Sequence, residues 1–304
     1  MSPTPFAENL RGIFALTACN LLFLINDTLI KLASEELPLT EIIFFRGLFA
    51  TVLLLPMVAW TGGFRHVATL GNWPAFWRTV AEILAAFSFL LALFNIPIAN
   101  ANAIAQIVPL AITAAGAIFL GEQVGWRRWT AIVVGFIGVL IVVRPGLEGF
   151  TAFSLSAVAA AGFITLRDMA TRVMPRGLPA PLISLVTAVA VGVSGFVFAP
   201  VLGETWVMPS GRSLGLIAVA VFFLIGGYLT AVEFMRHGDI AVVAPFRYTV
   251  IVMAMIIGYL VWGEVPDFLM LVGTAVIAAT GVYTFSRERN MARLREEAAA
   301  GEGL

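Results

Sequence analysis

Hydrophobic positions in this chain fall in long unbroken runs, divided by short polar stretches rich in Pro, Gly, Asn and Arg. A segment needs roughly 20 mostly apolar residues to cross a ~30 Å hydrocarbon layer. Ten runs meet that length, at residues 11–32, 40–60, 74–96, 99–121, 127–144, 151–173, 180–201, 212–235, 240–263 and 266–286. They do not alternate apolar with polar, and Ala, Leu and Gly dominate them, which argues against barrel strands. In lipid each backbone N–H must find its partner within its own segment, so the runs are expected to be helices. The expected fold class is an all-α polytopic membrane protein of ten transmembrane helices. Pro38, Pro74, Pro179 and Pro266 stand at the starts of spans, where a missing N–H costs nothing. Residues 95–100 are barely a turn, so spans three and four must be antiparallel neighbours. Residues 1–9 lack a basic leader, and no signal peptide is expected.

Composition sharpens the class. Sixty per cent of the residues are hydrophobic and 12% charged, against about 45–50% and about 25% in soluble domains. That excludes a soluble enzyme, a nucleic-acid binder and a disordered chain. Lys and Arg balance Asp and Glu at 18 each, so no net field draws the chain to nucleic acid. One cysteine, Cys19, and two histidines leave little for a metal site, and no metal or cofactor is expected. With a cytoplasmic N-terminus, the inner segments hold Arg11, Arg65, Arg127, Arg128, Arg172, Arg176, Arg236, Arg287, Arg289, Arg293 and Arg295. The outer segments hold only Lys31, Arg144 and Arg212. The positive-inside rule then puts both termini in the cytoplasm of an inner-membrane protein. All seven tryptophans lie near span ends, where amphipathic rings settle.

The halves match when one is laid on the other with a shift of 141–142 positions. Asp27 and Lys31 match Asp168 and Arg172, Pro38 matches Pro179, and Ile98-Ala99 matches Ile240-Ala241. Gly116 matches Gly258, and Gly121-Glu122 matches Gly263-Glu264. Five spans per half is odd, so the second copy must enter the membrane upside down. Residues 10–144 are expected to form one five-helix repeat, residues 151–286 its inverted copy, and residues 287–304 a cytoplasmic tail. A 5+5 inverted repeat with a polar site near the midplane is the plan of many secondary transporters. A channel or scaffold on the same duplication is the runner-up, but no selectivity-filter loop is present. A membrane-embedded enzyme would need a nucleophile, acid or metal cluster that the spacing does not supply.

At this point the residues resemble a known family. The stretch N-D-T-L-I-K followed by L-T-E-I-I-F-F-R-G (residues 26–47) is similar to the first repeat of the drug/metabolite transporter superfamily, EamA type. The same holds for P-L-A-I-T…F-L-G-E-Q-V-G-W-R-R-W (residues 109–129) and V-A-P-F-R-Y-T…G-E-V-P-D (residues 243–267). The resemblance covers about residues 10–286 and is nearest to the subgroup carrying S-adenosylmethionine-type metabolites. It implies ten helices in a 5+5 inverted repeat, a central cavity and alternating access. Riboflavin and amino-acid carriers share that fold.

Charges inside spans are costly, about 2.5–3.5 kcal/mol each at the bilayer centre, and so are functional candidates. Asp27 and Lys31 share one helix face, with Arg46 at similar depth on span two. They read either as an interfacial pair or as an outer gate with Asp27 bridging Arg46. Asp168 and Arg172 repeat the motif at the opposite mouth, with Arg167 left to the headgroup layer. Glu82 and Arg247 lie too deep to reach an interface. They read either as structural, Glu82 then pairing with Arg78, or as cavity-lining. In the second reading Arg247 takes a substrate carboxylate, and Glu82 takes a substrate cation or a coupling proton. Glu122 and Glu264, after glycines at helix ends, read as ties between the repeats. Asn20, Asn102, Gln106 and Tyr248 complete the candidate binding set, each with helix–helix glue as its alternative. The partners expected are a small zwitterionic or amino-acid-bearing substrate, the bilayer and a proton or other ion. Both a monomer and a homodimer stay open.

Overall fold

The computed structural model describes residues 6–146, 151–175, 178–236 and 243–301. Among these residues the chain is all helical. The helices are α1 (Phe6–Ala33), α2 (Leu39–Trp60), α3 (Trp73–Asn95), α4 (Ile98–Phe119), α5 (Trp126–Val143), α6 (Ala152–Arg172), α7 (Ala180–Phe198), α8 (Gly211–Arg236), α9 (Thr249–Trp262) and α10 (Phe268–Gly301). Nine segments of the described residues are long and apolar enough to cross a membrane, and Phe268–Thr284 of α10 is a tenth, shorter apolar stretch. The protein is therefore a multi-pass membrane protein. The start of the ninth expected span, residues 240–242, lies outside the described residues.

Helix starts follow local chemistry. Pro38 and Pro179 occupy the N-caps of α2 and α7. The Asn72 side chain accepts the Ala75 amide at 2.9 Å, capping α3, and the Asp267 carboxylate accepts the Met270 amide at 2.9 Å at the start of α10. Two spans are broken. α4 is interrupted at Gln106–Ile107, between Ile98–Ala105 and Val108–Phe119, and α9 is led in by a 3-10 turn, Ala244–Tyr248. Pro109 and Pro245 sit at these breaks, each removing one main-chain donor.

Packing follows one rule. α1 lies along α8, α3 along α6, α2 along α7, α5 along α10, and α4 meets α9. Exchanging each helix with the one five places along maps α1–α8 onto α6–α3 and returns each of the other pairs to itself. Small residues let backbones approach, as membrane helices require. A Cβ on Gly47 of α2 would overlap the Gly192 Cα of α7 and stand 2.8 Å from the Ala188 carbonyl. Gly47 and Ala188 occupy equivalent positions in the two halves, so repeat counterparts touch there. Gly47→Leu is expected to destabilise the fold by about 1–3 kcal/mol through overpacking, read as a lower thermal midpoint in detergent.

The helix ends form two faces. The turn end carries the α1–α2, α3–α4, α5–α6, α7–α8 and α9–α10 connections; the terminal end carries the others. At the turn end Glu36 accepts Ser210 Oγ at 2.7 Å, the Ser213 hydroxyl and Arg212. Glu204 accepts the Thr40 amide and hydroxyl at 2.8 and 2.6 Å, and Arg144 pairs with Asp267. The Ser213 hydroxyl holds the Glu36 carboxyl below the usual range, and the Arg144 hydrogen bond does the same for Asp267. Lowered carboxyl values stabilise the fold fully above the ordinary pKa of about 4, and that contribution is lost as pH falls through the lowered values. The thermal midpoint is thus expected to drop on acidification below about pH 4, with a flatter acid limb in Asp267→Asn.

Candidate functional site

The two broken spans meet at the middle of the molecule. Arg247, in the 3-10 turn before α9, donates from Nε to Gln106 Oε1 at the α4 break, 3.2 Å away. The flanking matches, Ile98 with Ile240 and Gly116 with Gly258, set a shift of 142 here, so Gln106 aligns with Tyr248 and Arg247 with Ala105, and the contact joins positions one residue out of register across the two halves. Asn20 Nδ2 of α1 lies within hydrogen-bond distance of the Phe246 and Arg247 carbonyls (3.2 and 3.1 Å) and of Thr249 Oγ1 (3.2 Å). Asn20 therefore secures the unwound backbone that carries the guanidinium. Among the described residues, the only hydrogen-bond acceptor of that guanidinium is the neutral Gln106. Asp168 and Arg167 face it at longer range.

Toward the terminal end stands a cluster from α3 and α6. Arg167 donates from Nη1 to Glu82 Oε2 at 3.2 Å and from Nε to Asp168 Oδ1 at 2.8 Å. Arg167 is thus not spent on headgroups; it is the centre of a carboxylate–guanidinium–carboxylate bridge. Arg78 does not hydrogen-bond Glu82. Its Nε meets Thr171 Oγ1 at 3.1 Å and its Nη1 meets Thr187 Oγ1 at 2.6 Å. A cavity of about 490 Å³ opens beside this cluster, walled by Trp73, Phe76, Ile183 and Val186, with Arg78, Thr79 and Thr187 on its lining.

Toward the turn end, Asp27 accepts Asn26 Nδ2 at 3.0 Å, with Asn102 and Arg46 near it. Asn102 also bonds the Ile98 carbonyl of its own helix at 3.1 Å. Lys31 turns away from Asp27. Its Nζ lies 2.9 Å from Glu264 Oε1 and 2.7 Å from the Ile96 carbonyl, with the Trp262 ring 4.9 Å away. The pairing of Asp27 with Lys31 expected from their spacing is therefore replaced by a bridge to the other repeat. Arg172 behaves alike, bonding Glu122 Oε1 at 3.1 Å rather than Asp168.

Tyr228 of α8 joins the two clusters. Its phenol feels Glu82, Arg167 and Arg78 on one side and Arg46 on the other, and its ring stands edge-on to Phe23 at 5.3 Å. It is half exposed beside these charged groups, so space remains next to its ring. Tyr248, in contrast, is only 7% exposed and belongs to the apolar core. Its ring packs onto Gly281 of α10, so it does not line this space. The sequence already places Arg167 and Tyr228 inside spans, where an ionisable or phenolic group is rare.

Residues 10–144 match the EamA-like transporter family. The chain is 29% identical to the S-adenosylmethionine uptake transporter of Rickettsia felis, over 89% of this chain and 91% of that one. It is 28% identical to a pseudopaline exporter of Pseudomonas aeruginosa (88% and 93%), and 26% identical to the riboflavin transporter of Vibrio cholerae (93% and 98%). One solved structure, 19% identical, superposes with a TM-score of 0.61 over 92% of this chain and 99% of that one, which is a likeness of fold.

Proposed function

Because the chain belongs to the drug/metabolite transporter superfamily and carries its EamA-type domain, we propose that it moves a small zwitterionic metabolite across the inner membrane by alternating access. S-adenosylmethionine-like compounds are the first candidates. The observation that carries this reading is Arg247, a guanidinium between two broken helices whose hydrogen-bond partner is neutral. Buried charges need a counter-charge, and a substrate carboxylate supplies it. The Glu82 and Asp168 carboxylates each give one oxygen to Arg167, leaving a second oxygen for a substrate cation. Riboflavin, carried by one relative, is the second reading.

In this reading residues 10–144 and 151–286 are the two inverted repeats. The contact of the counterparts Gly47 and Ala188 supports that division. The Arg and Lys count puts the terminal end in the cytoplasm; reporter fusions placing the two termini on opposite sides would overturn it.

A thermal-shift screen of the purified chain with S-adenosylmethionine, amino acids and riboflavin tests the substrate class. A ligand at 100 times its Kd stabilises by about 2.7 kcal/mol. Radiolabelled counterflow of the hits in proteoliposomes then tests transport. Neither shift nor counterflow with any of these compounds would sink the assignment. Glu82→Gln separates the two roles open to that carboxylate. We expect weaker binding with the pH dependence of uptake unchanged, since Glu82 is already engaged with Arg167; loss of the pH dependence would make Glu82 the proton carrier instead.

A further inference from the structure

Two bridges in this molecule are copies of one another. Lys31 of the first repeat bonds Glu264 of the second at the turn end; Arg172 of the second bonds Glu122 of the first at the terminal end. Lys31 and Arg172 are repeat counterparts, and so are Glu122 and Glu264. The acid is set in place the same way twice. Gly121 and Gly263 both adopt φ +68°. That left-handed turn lets the Glu122 amide reach the Gly116 carbonyl at 3.1 Å and the Glu264 amide reach the Gly258 carbonyl at 3.0 Å. Each carboxylate then folds over a bare glycine: a Cβ on Gly116 would lie 2.5 Å from Glu122 Oε2, and one on Gly258 2.7 Å from Glu264 Oε2.

The copies differ in one respect. The Lys31–Glu264 side chains are 10% and 18% exposed, whereas Arg172 and Glu122 are each 47% exposed. Glu264 also accepts the Ile98 amide at 2.9 Å while Lys31 holds the Ile96 carbonyl, so this bridge stitches the α3–α4 turn to α9 and α1. The cavity beside Glu264, lined by Asn100 and Gly258, has only about 50 Å³, against about 490 Å³ near Arg78 at the other end. Chemically equivalent bridges at opposite mouths thus stand in opposite states, one packed shut and one open to solvent.

We infer that Lys31–Glu264 and Arg172–Glu122 are a reciprocal pair of seals, and that the structure is the state closed at the turn end and open at the terminal end. In the other state Arg172–Glu122 packs shut and Lys31–Glu264 takes the exposed form. The same four side chains thereby control access from both sides, each salt bridge crossing from one repeat to the other. The inference rests on the transport reading, but its test uses no substrate.

The test places single cysteines in the full chain carrying Cys19→Ala: Asn100→Cys beside the turn-end seal, or Thr79→Cys in the terminal-end cavity. Labelling rates with N-ethylmaleimide are measured in proteoliposomes. Lys31→Gln is expected to raise labelling at Asn100→Cys and lower it at Thr79→Cys, each by about fivefold or more, within the usual range of coupling between sites. Arg172→Gln is expected to shift both rates the opposite way, because it weakens the state in which that bridge is buried. Lys31→Arg, which keeps the charge and a donor for the Ile96 carbonyl, is expected to keep the rates near those of the parent and separates loss of the bridge from a general effect of substitution at this position. Shifts of the same sign in the two single variants, or none in either, would make the bridges static ties and overturn the inference. Opposed shifts without counterflow of any tested compound would leave the seals standing and remove only the substrate assignment.

Discussion

Arg247→Gln is expected to lower counterflow of a carboxylate-bearing substrate by about 100-fold or more while the protein still folds. Truncating one partner of a buried charge pair costs about 2–5 kcal/mol, and each 1.4 kcal/mol is about tenfold. The fold bears the change easily. Arg247 gives its hydrogen bond to Gln106, another amide can replace that bond, and losing a guanidinium with a neutral partner removes a desolvation cost. The thermal midpoint of the empty variant should therefore stay level or rise, while ligand-induced stabilisation disappears. Arg247→Lys should recover little, since an ammonium lacks the planar fork that grips a carboxylate in two places. Unchanged counterflow in Arg247→Gln would show that this guanidinium does not hold the substrate.

The largest stability effect is expected at a residue with no polar chemistry at all. A Cβ on Gly281 would overlap the hydroxyl and ring of Tyr248, so Gly281→Ala must displace a buried aromatic side chain. Overpacking of this kind costs about 1–3 kcal/mol and occasionally more. The expected result is a sharp fall in monodisperse protein and in thermal midpoint, with recovery when Tyr248→Ala is added. Tyr248→Phe alone should be neutral or stabilising. Its hydroxyl is buried without a hydrogen-bond partner among the described residues, and such a group costs about 1–3 kcal/mol. If Gly281→Ala were as stable as the parent, the packing of Tyr248 onto α10 described above would be wrong.

Run lengths and prolines mark the spans to within a few residues because membrane helices obey simple constraints: apolar length and internal hydrogen bonding. The sequence predicts one helix over residues 99–121, and the span runs Ile98–Phe119. The break at Gln106 stays hidden, since a run of Ala, Ile and Asn reads as continuous helix. Partners across the bundle are hidden too. Spacing of four puts Lys31 beside Asp27, but a lysine chain reaches far enough to choose, and Glu264 at a helix end with the Ile96 carbonyl offers better company. Arg78 and Glu82 share the same spacing and also part, because Arg167 on the facing helix competes for the carboxylate. Local periodicity predicts which face a charge occupies; only tertiary packing decides which opposite charge it meets. Tyr248 shows the same limit. Its place next to Arg247 suggests a ligand-facing ring, while the ring itself turns into the core.

The contact between Gln106 and Arg247 has a consequence for how such a molecule can be built. In a homodimer of identical halves every side chain is present twice, so a guanidinium at this depth would bring a second, self-repelling one with it. Fusing the halves into one polypeptide frees equivalent positions to diverge: Arg247 aligns with Ala105 and Gln106 with Tyr248, so a solitary positive charge can stand between the broken helices with a neutral amide as its support. Ligand preference could then be retuned by changing one side of that couple, with the scaffold's symmetry, and the motion it permits, left intact.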